Sequence, residues 1–293
     1  MNSGVKQLKA SIIITTFNQQ QATNLVLESI NYQKNIEFSD VEIIVVDDGS
    51  IFPYKPIETK AKLKLVRQSN KGRSAARNAG IKAASGPLLI FVDGDRVLDD
   101  LFIYSYITNF RDGINVGSVC EIYCRDLTNF NLIKDKIDNN QNRTPYYIFS
   151  TSVLYDEHGE SNSDIIWITT FSGNMCILKE TIEYIGLFDE SFENWGFEHF
   201  ELGYRLHKAK IPFYSVNAIN YHLAHPRDMD EMKKNVDESI SHFTSIHNDI
   251  IIDRFRLFLE GKISLQELES NKQAAWLDKN NNKIFMKLGN RSV

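Results

Sequence analysis

Two carboxylates separated by a single glycine, Asp93-Gly94-Asp95, stand directly after the apolar run Leu88-Leu89-Ile90-Phe91-Val92. Hard oxygen ligands at that spacing suit a divalent cation, Mg2+ or Mn2+, bridging two phosphates. Gly94 lets the backbone approach a phosphate or ribose that a larger side chain would obstruct. A second acidic stop, Asp47-Asp48-Gly49-Ser50, follows Val41-Glu42-Ile43-Ile44-Val45-Val46. Asp-Gly pairs also mark ordinary turns, so either one alone says little. Two of them, each closing a β-branched run, point to a shared position in the fold.

The runs themselves read as strands buried on both faces, a pattern typical of parallel sheets. The first is Ser11-Ile12-Ile13-Ile14-Thr15-Thr16, closed by the polar turn Phe17 to Gln21. Helical spacing follows from Ala22 to Tyr32, then the strand ending at Asp47, a strand at Leu63 to Arg67, a helix at Arg73 to Ala84 and the strand ending at Asp93. Alternating strands and helices predict an α/β fold with an open, mostly parallel sheet, whose ligands bind beyond the strands' carboxyl ends. Thr15, Asp47, Asp48, Asp93 and Asp95 would share that rim. The stretch from Asn129 to Gly159 is polar and turn-rich, and reads as long loops covering the site. A second body is expected from strands at Ile165 to Thr170 and Met175 to Leu178, a short helix after Lys179 and a helix from Glu198 to Ala209. Beyond Pro226 the pattern is helical and amphipathic, with Ile240, Phe243, Ile246, Ile250 and Phe255 among charges.

The chain has 293 residues, enough for a large core without covalent staples. A net charge of −5 argues against sequence-independent nucleic-acid binding, which needs a basic surface to displace phosphate counterions. The three cysteines, Cys120, Cys124 and Cys176, show no CxxC spacing, so reduced thiols in a cytoplasmic setting are expected. The first ten residues lack the apolar stretch of a signal peptide, and no run reaches about 18 apolar residues.

The motifs occur in a fixed order, and together they resemble the family 2 glycosyltransferases, whose fold is called GT-A. The resemblance rests on Ser11 to Asn18, on Ile44-Val45-Val46-Asp47-Asp48-Gly49-Ser50, on Asn70 to Gly80 and on Phe91-Val92-Asp93-Gly94-Asp95. Ser172-Gly173-Asn174-Met175 and Gly186 to Phe192 are similar to the family's acceptor-side half. Glu193 to Leu206 is similar to a segment of chondroitin polymerases and β-1,4-galactosyltransferases. The resemblance implies a Rossmann-like sheet in a domain over residues 1–227, with a nucleotide-binding half at about 8–125 and an acceptor half at about 126–227. A helical extension over 228–293 would follow. It implies that Thr15 and Phe17 border the uracil of a UDP-sugar, with Asp48 or Asp47 hydrogen-bonding the base and Asn18 also binding the donor nucleotide. Asn70, Arg73, Arg77, Asp93 and Gly94 would line the nucleotide pocket, and Gly173, Asn174, Trp195 and Gly196 the donor sugar and acceptor. Asp95 matches the metal-binding carboxylate, and Asp93 reaches the ribose or, through water, the ion. Tyr221-His222-Leu223-Ala224-His225-Pro226 supplies two candidates, His222 and His225, for a histidine ligand to Mn2+ or Mg2+.

The resemblance further implies an inverting transfer of a hexose or N-acetylhexosamine to a glycan, lipid-linked saccharide or peptide. Relatives carry Glu-Asp after Trp-Gly-x, with the aspartate as base; this chain reads Trp195-Gly196-Phe197-Glu198-His199. On that match the base would be His199, a side chain type that ionises near neutrality, or Glu198, or neither of them. A sugar-phosphate nucleotidyltransferase would open with a glycine-rich phosphate loop, and a Rossmann dehydrogenase with GxGxxG; Thr15-Thr16-Phe17-Asn18 is neither. The remaining reading is a nucleotide-sugar-binding module whose catalysis was lost with the change to His199. The C-terminal helices are expected to pack on the body, on a second copy or peripherally at the inner face of a membrane.

Overall fold

The computed structural model describes residues 9–124, 126, 128–192, 196–225 and 228–269. The amino-terminal half follows the strand-helix alternation: β1 (Ala10–Thr16), α1 (Gln20–Asn31), β2 (Val41–Asp47), β3 (Lys62–Arg67), α2 (Gly72–Ala83) and β4 (Leu88–Asp93). β1, β2 and β4 are almost wholly buried, which is why they read as uninterrupted β-branched runs. The chain continues through β5 (Arg96–Leu98), α3 (Phe102–Asn109), β6 (Ile114–Ile122), α4 (Phe130–Asp138) and α5 (Tyr146–Ser152). Then follow β7 (Asn174–Leu178), α6 (Lys179–Ile185), α7 (Glu198–Lys208) and β8 (Phe213–Leu223). α8 (Met229–His247), α9 (Ile250–Leu259) and α10 (Leu265–Leu268) end the described chain.

Among the described residues the eight strands form one sheet in the order β3-β2-β1-β4-β7-β6-β8-β5. β3, β2, β1 and β4 run parallel, with Thr16 beside Asp47 and Thr15 beside Asp93. β7 is antiparallel to β4 and β6, β6 and β8 are parallel, and β5 is antiparallel to β8. The β6–β8 register shifts between Val116 and Ser118, where Val116 faces Ser215 and Ser118 faces Ile219. Gly117 is required there, because an added Cβ would lie 2.3 Å from the Ala218 carbonyl oxygen.

Two sequence expectations are corrected. The apolar run Ile165 to Thr170 is not a strand: Ile166–Thr169 forms a 3-10 turn. Its Trp167 is enclosed edge-on by Tyr204, Phe243 and Phe255, so the run is apolar because it is surrounded by helices. Within the stretch from Asn129 to Gly159, read as long loops, lie α4 and α5. Asn129 caps α4 through the Asn131 N–H, and Phe130 and Ile133 face Ala22 and Leu25 of α1 in a small apolar cluster. The C-terminal helices share the core of the second body, since Phe243, Phe255, Phe258 and Leu265 lie in the same cluster as Trp167 and Phe200. Among the described residues no helix is long and apolar enough to cross a membrane.

Candidate functional site

The carboxyl ends of β1, β2 and β4 are stitched into one edge. The Asp48 N–H donates to the Thr16 carbonyl and the Gly94 N–H to the Thr15 carbonyl. A Cβ on Gly94 would lie 2.8 Å from Thr15 O and Thr23 Oγ1. Glycine is thus demanded by this chain's own crowding as well as by any ligand's approach. Both acidic residues of the second stop are engaged with backbone. Asp47 accepts from the Ser50 and Tyr54 N–H groups at 2.9 and 3.0 Å, and Asp48 accepts from Gln68 and from the Lys71 and Gly72 N–H groups at the start of α2. Burial would raise the Asp47 carboxyl, and its hydrogen bonds to Ser50 and Tyr54 outweigh that and hold it below its ordinary value. Asn18 joins the first turn to the second, with its N–H donating to Ser50 Oγ and its Oδ1 accepting from Ile51 N–H. Phe17, Asn70 and Arg73 are exposed along this part of the edge.

A second group of residues gathers at the far side of β4. Asp95, His222 and His225 each offer a ligand atom, and these atoms lie within 4.8 Å of one another. Asp95 Oδ2 is 3.6 Å from His222 Nε2 and 3.7 Å from His225 Nε2. The meeting follows from the antiparallel pairing of β5 with β8, which sets Arg96, next to Asp95 in sequence, opposite His222. Burial would raise the Asp95 carboxyl, yet the two histidines and Arg96 outweigh it and hold it well below the usual carboxylate range. One carboxylate oxygen and two imidazole nitrogens form a donor set that fits Mn2+ and related transition ions. Gln19 Nε2 lies 3.5 Å from the same Asp95 oxygen.

Between the two groups sits a buried ion network. Arg77 on α2 donates to Asp93 Oδ1 at 2.9 Å and to Glu198 Oε1 at 2.8 Å, and Arg96 Nε reaches Asp93 Oδ2 at 3.2 Å. Arg77 therefore lies inside the protein, joining β4 to the start of α7. Burial works against every charge here. For Arg77 it is outweighed by Asp93 and Glu198, which raise the guanidinium's value; for Glu198 it is outweighed by His199, Arg77 and Arg73, which depress it strongly. Asp93 is likewise lowered, by Arg77 and Arg96 against burial and the neighbouring Asp95. Asp93 stands beside the Asp95, His222 and His225 trio but directs its oxygens to arginines. Gly173 closes over the network, since a Cβ there would lie 2.3 Å from Asp93 Oδ2 and 2.4 Å from Arg96 Nε.

His199 is half-buried, with its Nδ1 3.5 Å from Glu198 Oε1 and its ring against Phe200 and Phe171. Gly196 and Phe197 both adopt left-handed backbone, φ 98° and 71°, so the chain turns sharply and delivers Glu198 and His199 at the first turn of α7. Asn174 does not face this region. Its amide oxygen accepts from Tyr106 and its nitrogen donates to the Ser118 and Ala218 carbonyls, so it cross-links β6, β7 and β8 inside the sheet. Trp195 lies outside the described residues. Sequence reasoning missed Arg96, which follows the acidic triplet directly, and Glu121, whose proximity to His222 depends on strand register.

Comparison with known proteins agrees with this architecture. Residues 11–178 match the model of Glycosyl transferase family 2. The chain is 28% identical to a chondroitin synthase of Pasteurella multocida (strain Pm70) over 262 residues, 80% of this chain and 27% of that protein. It is 29% identical to a chondroitin synthase of Escherichia coli, over 79% of this chain and 37% of the other. The chain thus spans roughly a quarter to two fifths of these relatives. Among solved structures, S. aureus TarS 1-349 in complex with UDP-GlcNAc aligns with a TM-score of 0.55 at 17% identity, covering 89% of this chain and 77% of the other. GalNAc-T7 with UDP, GalNAc and Mn2+ aligns at 0.54 and 14% identity, covering 80% and 48%. These likenesses support the GT-A fold, and the match over more than half its length assigns the chain to a family: it belongs to glycosyl transferase family 2.

Proposed function

We propose that this chain transfers a hexose or N-acetylhexosamine from a UDP-sugar to an acceptor hydroxyl with inversion, using a divalent cation held by Asp95, His222 and His225. The observation that carries the proposal is the convergence of those three ligand atoms at the sheet edge beside Asp93. The donor class is supported by relatives named as chondroitin synthases and by fold neighbours solved with UDP-GlcNAc or with UDP, GalNAc and Mn2+. The acceptor class is a glycan, a lipid-linked saccharide or a peptide.

Bound there, the cation would act as a Lewis acid offsetting charge on the departing diphosphate. The chain's own residues supply the rest. Phe17, at the exposed end of β1, offers a ring face on which a pyrimidine can stack. Arg73, exposed at the start of α2, offers a guanidinium suited to phosphate oxygens. His199 accepts the proton of the attacking hydroxyl. Glu198 is the poorer acceptor, because its Oε1 already accepts from the buried Arg77 guanidinium at 2.8 Å. Its role is to face His199 Nδ1, which leaves Nε2 as the nitrogen that takes the proton.

The test compares thermal stabilisation by UDP and UDP-sugars with and without Mn2+, in the wild type and in Asp95→Ala. A ligand that binds only the native state raises apparent stability by about 2.7 kcal/mol at one hundred times its Kd. The expected result is stabilisation that needs Mn2+ and disappears with Asp95→Ala, together with loss of sugar transfer. Equal stabilisation with and without Mn2+, and near-normal transfer by the variant, would refute the metal assignment.

A further inference from the structure

Behind the Asp95, His222 and His225 trio lies a carboxylate that no sequence motif singled out. Glu121 on β6 stands opposite His222 in the parallel β6–β8 register and is buried. Its Oε1 lies 3.7 Å from His222 Nδ1, while His222 Nε2 lies 3.6 Å from Asp95 Oδ2. Each nitrogen of the imidazole therefore faces a different carboxylate.

The second oxygen of Glu121 is anchored. Oε2 accepts from Arg143 Nε at 3.1 Å and from Nη2 at 2.9 Å. Arg143 exchanges two backbone hydrogen bonds with Glu121, of 2.7 and 3.1 Å. It also donates to the Tyr123 hydroxyl at 2.9 Å, with its guanidinium 5.2 Å from the centre of that ring.

A neutral imidazole carries its proton on one nitrogen, and a cation needs the other. An acceptor facing Nδ1 selects the tautomer protonated there and points the Nε2 lone pair forward. We infer that Glu121 is a positioning residue of the metal site. It fixes the tautomer and ring orientation of His222, and Arg143, on the segment joining α4 to α5, holds Glu121 in place. The inference rests on the metal reading of the trio, and its test separates the two.

Mn2+ binding to the whole chain is measured in the presence of UDP, from the electron paramagnetic resonance of free Mn2+. Thermal melts run in parallel on Glu121→Gln, Glu121→Asp and Arg143→Ala, with Asp95→Ala and His222→Ala as controls. Glu121→Gln is expected to weaken Mn2+ about 10- to 100-fold, the usual effect of losing a carboxylate behind a histidine ligand. Glu121→Asp, which keeps the charge, should retain more affinity, and Arg143→Ala should lose less than Glu121→Gln. Mn2+ affinity within about twofold of wild type in folded Glu121→Gln would overturn the inference, whatever its melting temperature. If His222→Ala and Asp95→Ala lose Mn2+ in that case, the trio survives and only the role of Glu121 falls. If they too bind Mn2+ normally, the metal reading fails and this inference fails with it.

Discussion

Arg77→Met tests whether the arginine network holds the two halves of the site together. The Arg77 and Glu198 side chains are 3% and 2% exposed, and their charged atoms meet at 2.8 Å. Removing the guanidinium takes away the hydrogen-bonded partner of the buried Glu198 carboxylate, while Asp93 keeps Arg96 at 3.2 Å. Breaking one side of a buried pair costs about 3–5 kcal/mol, because the remaining charge stays desolvated. Against a total stability of roughly 5–15 kcal/mol that is a large fraction. At about 2–4 °C per kcal/mol for a large domain, the melting temperature should fall by roughly 6–20 °C. Urea titration followed by circular dichroism gives the free energy directly, provided the transition stays cooperative. The double variant Arg77→Met/Glu198→Gln removes both charges, so its loss should be smaller than the sum of the two single losses by about 0.5–3 kcal/mol. A single variant that melts within about 2 °C of wild type, or losses that simply add, would refute the argument.

His199→Ala should lower kcat about 10²- to 10⁴-fold while leaving Mn2+-dependent stabilisation by UDP unchanged; a kcat close to wild type in a steady-state transfer assay would remove His199 as the base. Acid sensitivity follows from the depressed carboxyls. Glu198 and Asp95 have folded values below their unfolded ones, so the stability they contribute is present above the ordinary carboxylate range and lost as pH falls below it. The urea midpoint of the wild type should therefore drop on acidification below about pH 5, and Glu198→Gln should drop less steeply; parallel curves would contradict the assignment.

β1, β2 and β4 were legible because each is buried on both faces and carries an apolar run, as Ile12 to Ile14, Ile43 to Val46 and Leu89 to Val92 do. The same rule misled at Ile165 to Ile168. A short buried run has no periodicity of its own, and here helices rather than strands surround it. α4 was hidden by charge: Phe130 and Ile133 have helical spacing, but Lys134, Asp135, Lys136 and Asp138 made the segment read as a loop. For the site, Asp93 and Asp95 announced themselves by their place after a strand. That His222 and His225 meet Asp95 depends on β8 lying between β6 and β5, and Glu121 on which residue of β6 falls opposite His222. Spacing along the chain does not encode either pairing. The engagement of Arg77 with Glu198, 121 residues away, was invisible for the same reason.

The offset within β8 has a bearing on how this chain can vary. From Val116 to Ser118 β6 advances two positions, while β8 advances four, from Ser215 to Ile219. Two extra residues of β8 are accommodated at this shift, beyond which Ser118 to Ile122 pair one for one with Ile219 to Leu223. Loss or gain of one residue between Ser215 and Ile219 that the shift did not absorb would slide the later pairing by one position, setting Tyr221 or Leu223 opposite Glu121 where His222 now stands. The number of residues across this short stretch thus decides which side chain meets Asp95, much as a reading frame decides which codon is read.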